Sequence, residues 1–216
     1  ETTKFAGDHG PADSEAWLAR QGLLQPGATV VEGTAGNTGI GLAMVAAAKG
    51  YKAIIVMPQV KPMHERYIIC RQFGAQVHLF NMAHGIPAAV EYMDALGAKE
   101  DHVWVNQMFN KENPQAHVAH TGPEIWEQTN GEVDVFVQGI GTGGCIAGVG
   151  EYLKSKKASV KVCALEPTES RVHVGGAPAP HGIVGWAPGI HSSVLEGFGW
   201  EKEKLNDTAR GIVDEW

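Results

Sequence analysis

Short apolar runs rich in β-branched residues alternate with longer amphipathic or alanine-rich stretches through most of the chain. Such short runs are typical of buried strands, and the longer stretches have the spacing of helices. The predicted strands cover residues 29–31, 53–57, 76–80, 102–106, 133–138 and 161–165. The predicted helices cover about 13–21, 38–49, 63–73, 85–97, 115–129 and 144–157. This alternation predicts an α/β protein in which parallel sheets are flanked by helices.

The alternation stops at about residue 167. From 175 to 189 the chain is dense in glycine, proline and histidine, and no helical spacing is present. Glycine and proline at this density favour turns over regular structure. We therefore expect a long surface loop, and loops of such length often carry function.

A glycine-rich segment at 33–41 lies between the first predicted strand and the helix that follows it. Its four glycines allow a sharp turn and a close approach of the helix to the sheet. The first amide N–H groups of a helix have no partner within the helix, so they point at whatever binds there. Thr34, Asn37 and Thr38 add side-chain donors. This loop is suited to an anion such as a carboxylate or a phosphate.

A second glycine-rich segment, 139–145, lies between the predicted strand at 133–138 and the helix at 144–157. Glycines and a hydroxyl at a helix N-terminus can hold a phosphate dianion. The segment lacks the Gly-Lys-Ser/Thr ending of a P-loop. Either loop alone could be a tight turn without a ligand, and two loops at equivalent junctions favour ligand binding. Cys145 is either a small residue tolerated in the turn or an acidified thiolate.

Composition and charge exclude several classes of partner. The chain has 216 residues, 44% of them hydrophobic, and a net charge of −7 without a basic cluster. Nucleic acid and anionic membranes are therefore not expected as partners, and no apolar run is long enough to cross a bilayer. Three scattered cysteines and the lack of a visible secretory leader predict a cytoplasmic protein.

A metal site is not predicted. His117 and His120 are three residues apart on a predicted helix. A protein metal site needs at least a third ligand with suitable spacing, and none is visible.

At the two glycine loops the chain resembles the cysteine synthase (O-acetylserine sulfhydrylase) family. VEGTAGNTGIGLA at 31–43 resembles the family's substrate loop, and GIGTGGCIAGVGEYLK at 139–154 resembles its phosphate loop. QMFNKENPQAHVAHTGPEIWEQT, VCALEPTES and HGIVGWAPGI follow in the family's order. The resemblance implies a fold-type II pyridoxal-phosphate enzyme of the tryptophan synthase β-like type. Its two parallel-sheet, three-layer domains are expected at 1–125 and 126–216, truncated at both ends.

The resemblance also implies roles for particular residues. Asn37 would bind the pyridoxal ring oxygen. The cofactor phosphate would be held by Gly141, Thr142, Gly143, Gly144 and Cys145. The substrate carboxylate would be held by Thr34, Ala35, Gly36, Thr38 and Gln107. Gly185 would lie near the far side of the substrate. The two loops would face a shared cleft. The resemblance also implies that the protein is a homodimer.

The family's Schiff-base lysine is absent from its expected position. Counting back from GLLQPG places Gly7 where the lysine belongs, and Lys4 lies three residues earlier. In the family this lysine holds the cofactor and removes the substrate's α-proton, and glycine can do neither. The family reaction converts O-acetylserine and sulfide to cysteine and acetate, and here it is expected to be impaired.

Three interpretations remain open at this point. The chain is an altered cysteine synthase-like enzyme, a pseudoenzyme that binds a ligand or partner through the same scaffold, or an incomplete piece of a longer chain. The first predicts cysteine formation in the presence of sulfide. The second predicts that pyridoxal phosphate, if bound, cannot be reduced onto a lysine.

Overall fold

The computed structural model describes residues 24–60, 63–186, 189 and 194–195. These residues form two compact units, which divide between Gln107 and Met108. The domain limits expected from the sequence, 1–125 and 126–216, include residues outside the described ranges, and they stay a prediction. Lys4, Gly7 and the predicted helix at 13–21 also lie outside the described residues.

The first unit contains a four-stranded parallel sheet. Its strands are β1 (Thr29–Gly33), β2 (Lys52–Pro58), β3 (Gln76–Phe80) and β4 (His102–Trp104), in the spatial order β3-β2-β1-β4. Its helices are α1 (Asn37–Lys49), α2 (His64–Gln72) and α3 (Gly85–Gly97), and a short 3₁₀ turn covers Met82–His84. The four strands predicted in this part of the chain are confirmed.

Helices cover both faces of this sheet. On one face, Leu42 of α1 and Cys70 of α2 pack with Ile55 of β2. On the other face, Leu96 of α3 packs with Val31 of β1. Strands buried on both faces are nearly continuous apolar runs, and this is why the sequence showed them so clearly. The first unit has three layers, with a sheet between helices.

The second unit contains a parallel pair of strands among its described residues. These are β5 (Val135–Gly139) and β6 (Lys161–Leu165). The helices are α4 (Glu112–Ala116), α5 (Gly122–Gln128) and α6 (Gly144–Lys156), with a π-helical turn (His117–Thr121) joining α4 to α5. The segment predicted as one helix at 115–129 is therefore helical from Glu112 onward, and it contains a π-helical turn between two α-helices.

The core of the second unit lies between α6 and the two strands. Ile146 and Ala147 of α6 pack against Val162 and Ala164 of β6, and all four are almost completely buried. From 166 to 186 the structure shows turns and bends without a helix or strand, as the sequence predicted for this stretch. Within the described ranges, the longest apolar helices fall short of what crossing a bilayer requires.

Candidate functional site

The first glycine loop connects the end of β1 to the start of α1. The Thr34 amide donates to the Val56 carbonyl at 3.0 Å, which attaches the loop to β2. The Gly36 amide donates to the Thr34 hydroxyl oxygen at 3.0 Å. Among the described residues, the amide N–H groups of Asn37 and Thr38 find no acceptor. The loop therefore presents free donors at the N-terminus of a 13-residue helix, where the helix dipole favours an anion.

Side chains from three elements lie close to this loop. A β-carbon on Gly36 would lie 2.8 Å from both Cδ and Nε of Arg66 in α2. A β-carbon on Gly39 would lie 2.7 Å from Ile55 of β2, and one on Gly33 would collide with Met93 of α3. Arg66 and Met93 are flexible and could move aside, whereas Ile55 and Thr34 are stiff β-branched side chains. Gly39 is therefore the position at which glycine allows the start of α1 to lie this close to β2.

Glu32 carries a buried carboxyl group directly before the first loop, with only 2% of its surface exposed. Its Oε1 accepts the Gly33 amide at 2.9 Å, and its Oε2 accepts the Gln107 amide at 3.1 Å. Burial raises the pKa of Glu32 to about 8, because loss of water outweighs the backbone hydrogen bonds that Gln107, Gly33 and Asn106 donate. Glu32 therefore titrates near neutral pH, unlike an ordinary glutamate.

Gln107 joins Glu32 to the loop. Its Nε2 donates to the Gly33 carbonyl at 3.0 Å and, at 3.5 Å, more weakly to Oε1 of Glu32. Its Oε1 accepts the Thr38 hydroxyl at 2.8 Å. These contacts form because β4 lies beside β1 in parallel, with Trp104 opposite Val31, so the chain after β4 passes the loop after β1. The structure thus brings Gln107 and Thr38 together, and their expected role in holding a substrate carboxylate stays a prediction.

Sequence reasoning missed Glu32. The available indication was an acidic residue inside the otherwise apolar run TVVEG, immediately before the glycines. Burying an acidic side chain at the end of a strand that is covered on both faces costs free energy unless the side chain is hydrogen-bonded. An acidic residue at such a position therefore indicates a network of polar contacts.

The raised pKa of Glu32 predicts a specific dependence of stability on pH. Between pH 4.5, where an ordinary glutamate titrates, and about 8, the folded chain keeps a proton that the unfolded chain releases. The free energy of unfolding of the wild type should therefore fall as the pH rises through this window, relative to a Glu32→Gln variant. The expected slope difference is on the order of 1 kcal/mol per pH unit. Urea unfolding at several pH values measures it, with Glu91→Gln as an exposed control, and parallel curves would contradict it.

The second glycine loop connects the end of β5 to the start of α6. Gly143 has a φ of 87°, a left-handed conformation that favours glycine. Among the described residues, neither the Gly141 nor the Gly143 amide N–H has a hydrogen-bond acceptor. Unpaired amides beside the N-terminus of a 13-residue helix are suited to a phosphate.

Asn113 of α4 supports the second loop from behind. Its side chain is buried, and its Nδ2 donates to the Thr142 hydroxyl oxygen at 2.9 Å. The Gly144 amide also points at this oxygen, at 3.4 Å. The Thr142 oxygen accepts both contacts, so its own hydroxyl hydrogen remains to be donated. Asn113 was not recognised in the sequence as part of the site, because its role depends on packing between α4 and α6.

The 182–186 segment lies against the second loop. A β-carbon on Gly141 would be 2.5 Å from the carbonyl oxygen of Gly185, and one on Gly139 would collide with Trp186. The structure therefore places Gly185 beside Gly141, one of the residues expected to bind phosphate. The irregular stretch predicted as a loop reaches the end of β5 rather than only covering the surface.

Cys145 and His117 are the two further candidate residues. Burial raises the pKa of the Cys145 thiol to about 11, so it is protonated at neutral pH. His117 is buried, with its Nδ1 2.9 Å from the Thr121 hydroxyl oxygen. Across the described part of the chain, no three His, Cys, Asp or Glu side chains are grouped in a way that could hold a metal ion.

The chain belongs to the pyridoxal-phosphate dependent enzyme family, whose sequence profile matches residues 11–210. Enzymes of this family use pyridoxal phosphate. Among its relatives, cysteine synthase A of Escherichia coli (strain K12) is 37% identical over 212 residues, which cover 91% of this chain and 65% of the relative. The cysteine synthase of Staphylococcus aureus (strain N315) is 39% identical over 177 residues, which cover 82% of this chain and 57% of the relative. The chain thus spans less than two thirds of the length of these relatives.

Solved structures agree with this assignment. The fold is similar to that of O-acetyl serine sulfhydrylase isoform 3 from Entamoeba histolytica, with a TM-score of 0.82 and 39% identity over 97% of this chain and 58% of the other. An O-ureido-L-serine synthase has a TM-score of 0.85 and 34% identity over 97% of this chain and 62% of the other. The predicted fold class, an α/β protein of the fold-type II pyridoxal-phosphate type, is confirmed.

Proposed function

We propose that the chain binds pyridoxal phosphate and an amino-acid substrate for a cysteine synthase-like β-replacement, in which O-acetylserine and sulfide give cysteine and acetate. The observation that carries the proposal is the second loop, which has two unpaired backbone amides at a helix start and glycines at which a β-carbon would meet neighbouring atoms. Membership of the family and the named activities of its relatives support the same reaction.

The residues of the second loop fit the cofactor phosphate. Gly141 and Gly143 offer free amides, Thr142 offers a hydroxyl hydrogen, and the dipole of α6 favours a dianion. Gly144 and Cys145 complete the helix start. When bound, pyridoxal phosphate supplies an electron sink for the reacting amino acid. The protein's own contribution at this loop is to hold the phosphate and so orient the ring.

The residues of the first loop fit the amino-acid carboxylate. Asn37 and Thr38 offer free amides, and Thr34, whose hydroxyl oxygen accepts the Gly36 amide, keeps its hydroxyl hydrogen for a ligand. The Thr38 hydroxyl donates to Gln107 instead. Ala35 and Gly36 shape the turn, and Gln107 holds it from behind. Asn37 is exposed at the first position of α1, so its side chain is available to a ring oxygen. That the two loops share one ligand, with Gly185 near its far side, stays a prediction.

Catalytic turnover is the finer part of the proposal. Gly7 cannot remove a proton, and Lys4 is the nearby alternative. This observation favours a second candidate function, a pseudoenzyme that binds the cofactor or a partner without turnover. The resemblance also predicts a homodimer, and the scattered cysteines predict a cytoplasmic location; both properties remain predictions.

Titration with pyridoxal phosphate and with pyridoxal tests the cofactor part of the proposal. Because the second loop is suited to a phosphate, we expect pyridoxal phosphate to bind at least about tenfold more tightly than pyridoxal, through charge-assisted hydrogen bonds. Absorption spectra and equilibrium dialysis measure both constants. Equal affinities, or no binding of either compound, would overturn the proposal. An assay for cysteine formed from O-acetylserine and sulfide then separates the enzyme from the pseudoenzyme.

A further inference from the structure

We propose that Glu32 is a positioning residue of the first loop: through Gln107 it holds the loop in the arrangement that binds an amino-acid carboxylate. The inference rests on the proposed function, because it assumes that the first loop receives the substrate. It assigns a role to a residue outside the loop itself.

Glu32 lies near the end of β1, directly before the first loop. Its two oxygens accept amides from two separate chain segments, Gly33 at 2.9 Å and Gln107 at 3.1 Å. A buried carboxyl group is costly unless such contacts satisfy it. Glu32 therefore joins the end of β1 to the segment after β4 at the base of the loop.

Gln107 connects Glu32 to the first loop. The Gln107 side chain donates to the Gly33 carbonyl at 3.0 Å and accepts the Thr38 hydroxyl at 2.8 Å. Thr38 lies in the first turn of α1, beside the free amides of the loop. A shift of Gln107 would therefore move Thr38 and change the direction of these amides. Catalytic and binding groups depend on such supporting contacts for their geometry.

Ionisable side chains near Glu32 lie on the elements that pack around the first loop. From α2, Arg66 lies against Gly36 and the Cys70 sulfur lies 3.7 Å from a β-carbon placed on Gly39. The pKa of Cys70 is raised to about 11 by burial, so this thiol is neutral. On the remaining elements that pack around the loop, Lys52 on β2, Lys49 on α1, and Glu91 and Asp94 on α3 are exposed. His102 on β4 is partly buried, but it lies opposite Thr29, at the other end of β1 from Glu32. The neutral state of Glu32 is thus set by burial.

Ionisation of Glu32 would change the charge at the base of the first loop. Since the pKa of Glu32 is about 8, a rise in pH through this value places a negative charge at the base of a loop that receives a carboxylate. Like charges at short range repel each other, and the repulsion is strong where water is excluded. Binding of an amino acid should therefore weaken above about pH 8.

Binding of L-serine, measured by calorimetry from pH 6 to 9, tests the inference in wild type, Glu32→Gln and the exposed control Glu91→Gln. At each pH the ratio of the dissociation constants of two proteins is compared, because this ratio does not depend on the titration of serine itself. We expect the wild-type dissociation constant to rise about tenfold relative to Glu32→Gln between pH 7 and 9. At pH 7 the variant should bind about tenfold more weakly than wild type, because an amide nitrogen cannot accept the Gln107 amide. Glu91→Gln should follow wild type. A wild-type pH dependence shared by Glu32→Gln would overturn the inference.

Hydrogen exchange of the peptide covering 33–41 tests the positioning without any ligand. In Glu32→Gln the amide hydrogens of this peptide should exchange several-fold faster than in the wild type and in Glu91→Gln, because the loop loses the contacts that hold it. If none of the three proteins binds serine but hydrogen exchange changes as expected, the proposal that the loop binds an amino acid is wrong and the positioning role of Glu32 stands. Unchanged exchange in Glu32→Gln would overturn the positioning role. Should Glu32→Gln not fold, Thr38→Val interrupts the same connection, and unchanged exchange there would count equally against it.

Discussion

Replacing Gly141 with alanine should abolish tight binding of pyridoxal phosphate. A β-carbon at this position would lie 2.5 Å from the Gly185 carbonyl oxygen, and backbone atoms cannot move aside as a flexible side chain could. The second loop would have to shift, and the free amides of Gly141 and Gly143 would no longer point at the phosphate. Steric strain and the loss of charge-assisted hydrogen bonds together predict an affinity lower by about a hundredfold or more.

Gly182→Ala is the matched control for this experiment. It lies in the same irregular stretch, three residues before Gly185, and a β-carbon there meets nothing within 4 Å. We expect it to bind pyridoxal phosphate as the wild type does, as measured by equilibrium dialysis. If Gly141→Ala and Gly182→Ala bind equally well, the second loop is not the phosphate site.

Replacing Gly7 with lysine should produce the largest gain in turnover. Gly7 and Lys4 lie outside the described residues, so this prediction depends on the resemblance of the sequence to its family. A lysine there would supply an amine that can hold the cofactor and act as a base, and general-base help alone contributes about 10²–10⁴-fold. We expect sulfide-dependent formation of cysteine to rise by at least about a hundredfold.

Borohydride reduction followed by peptide mass analysis identifies the lysine involved. In Gly7→Lys the cofactor should be trapped at residue 7. In the wild type, trapping at Lys4 would show that Lys4 replaces the missing lysine, and Lys4→Arg should then abolish it. A Gly7→Lys variant that binds the cofactor but gains neither trapping nor turnover would show that residue 7 is not the family's lysine position.

The strands and both glycine loops were predictable because each depends on local chain properties. Strands buried on both faces are apolar throughout, and glycines between a strand and a helix mark a tight junction. The ends of the elements were less predictable. β4 stops at Trp104 although the apolar run continues, and Asn106 then adopts a left-handed conformation with φ 54°. The π-helical turn at His117–Thr121 interrupts a segment whose sequence spacing predicts one continuous helix.

The sequence by itself determined the α/β class, the positions of the two loops and the donors that they carry, since these follow from residues close together in the chain. Tertiary structure alone decided what supports the loops. Glu32 and Gln107 are 75 positions apart, and Asn113 and Thr142 are 29 apart. Such pairs meet only because parallel pairing places the ends of β1 and β4 side by side, and because α4 packs against α6. Burial, which raises the pKa of Glu32, likewise results from the layers around it and cannot be read from its neighbours in the chain.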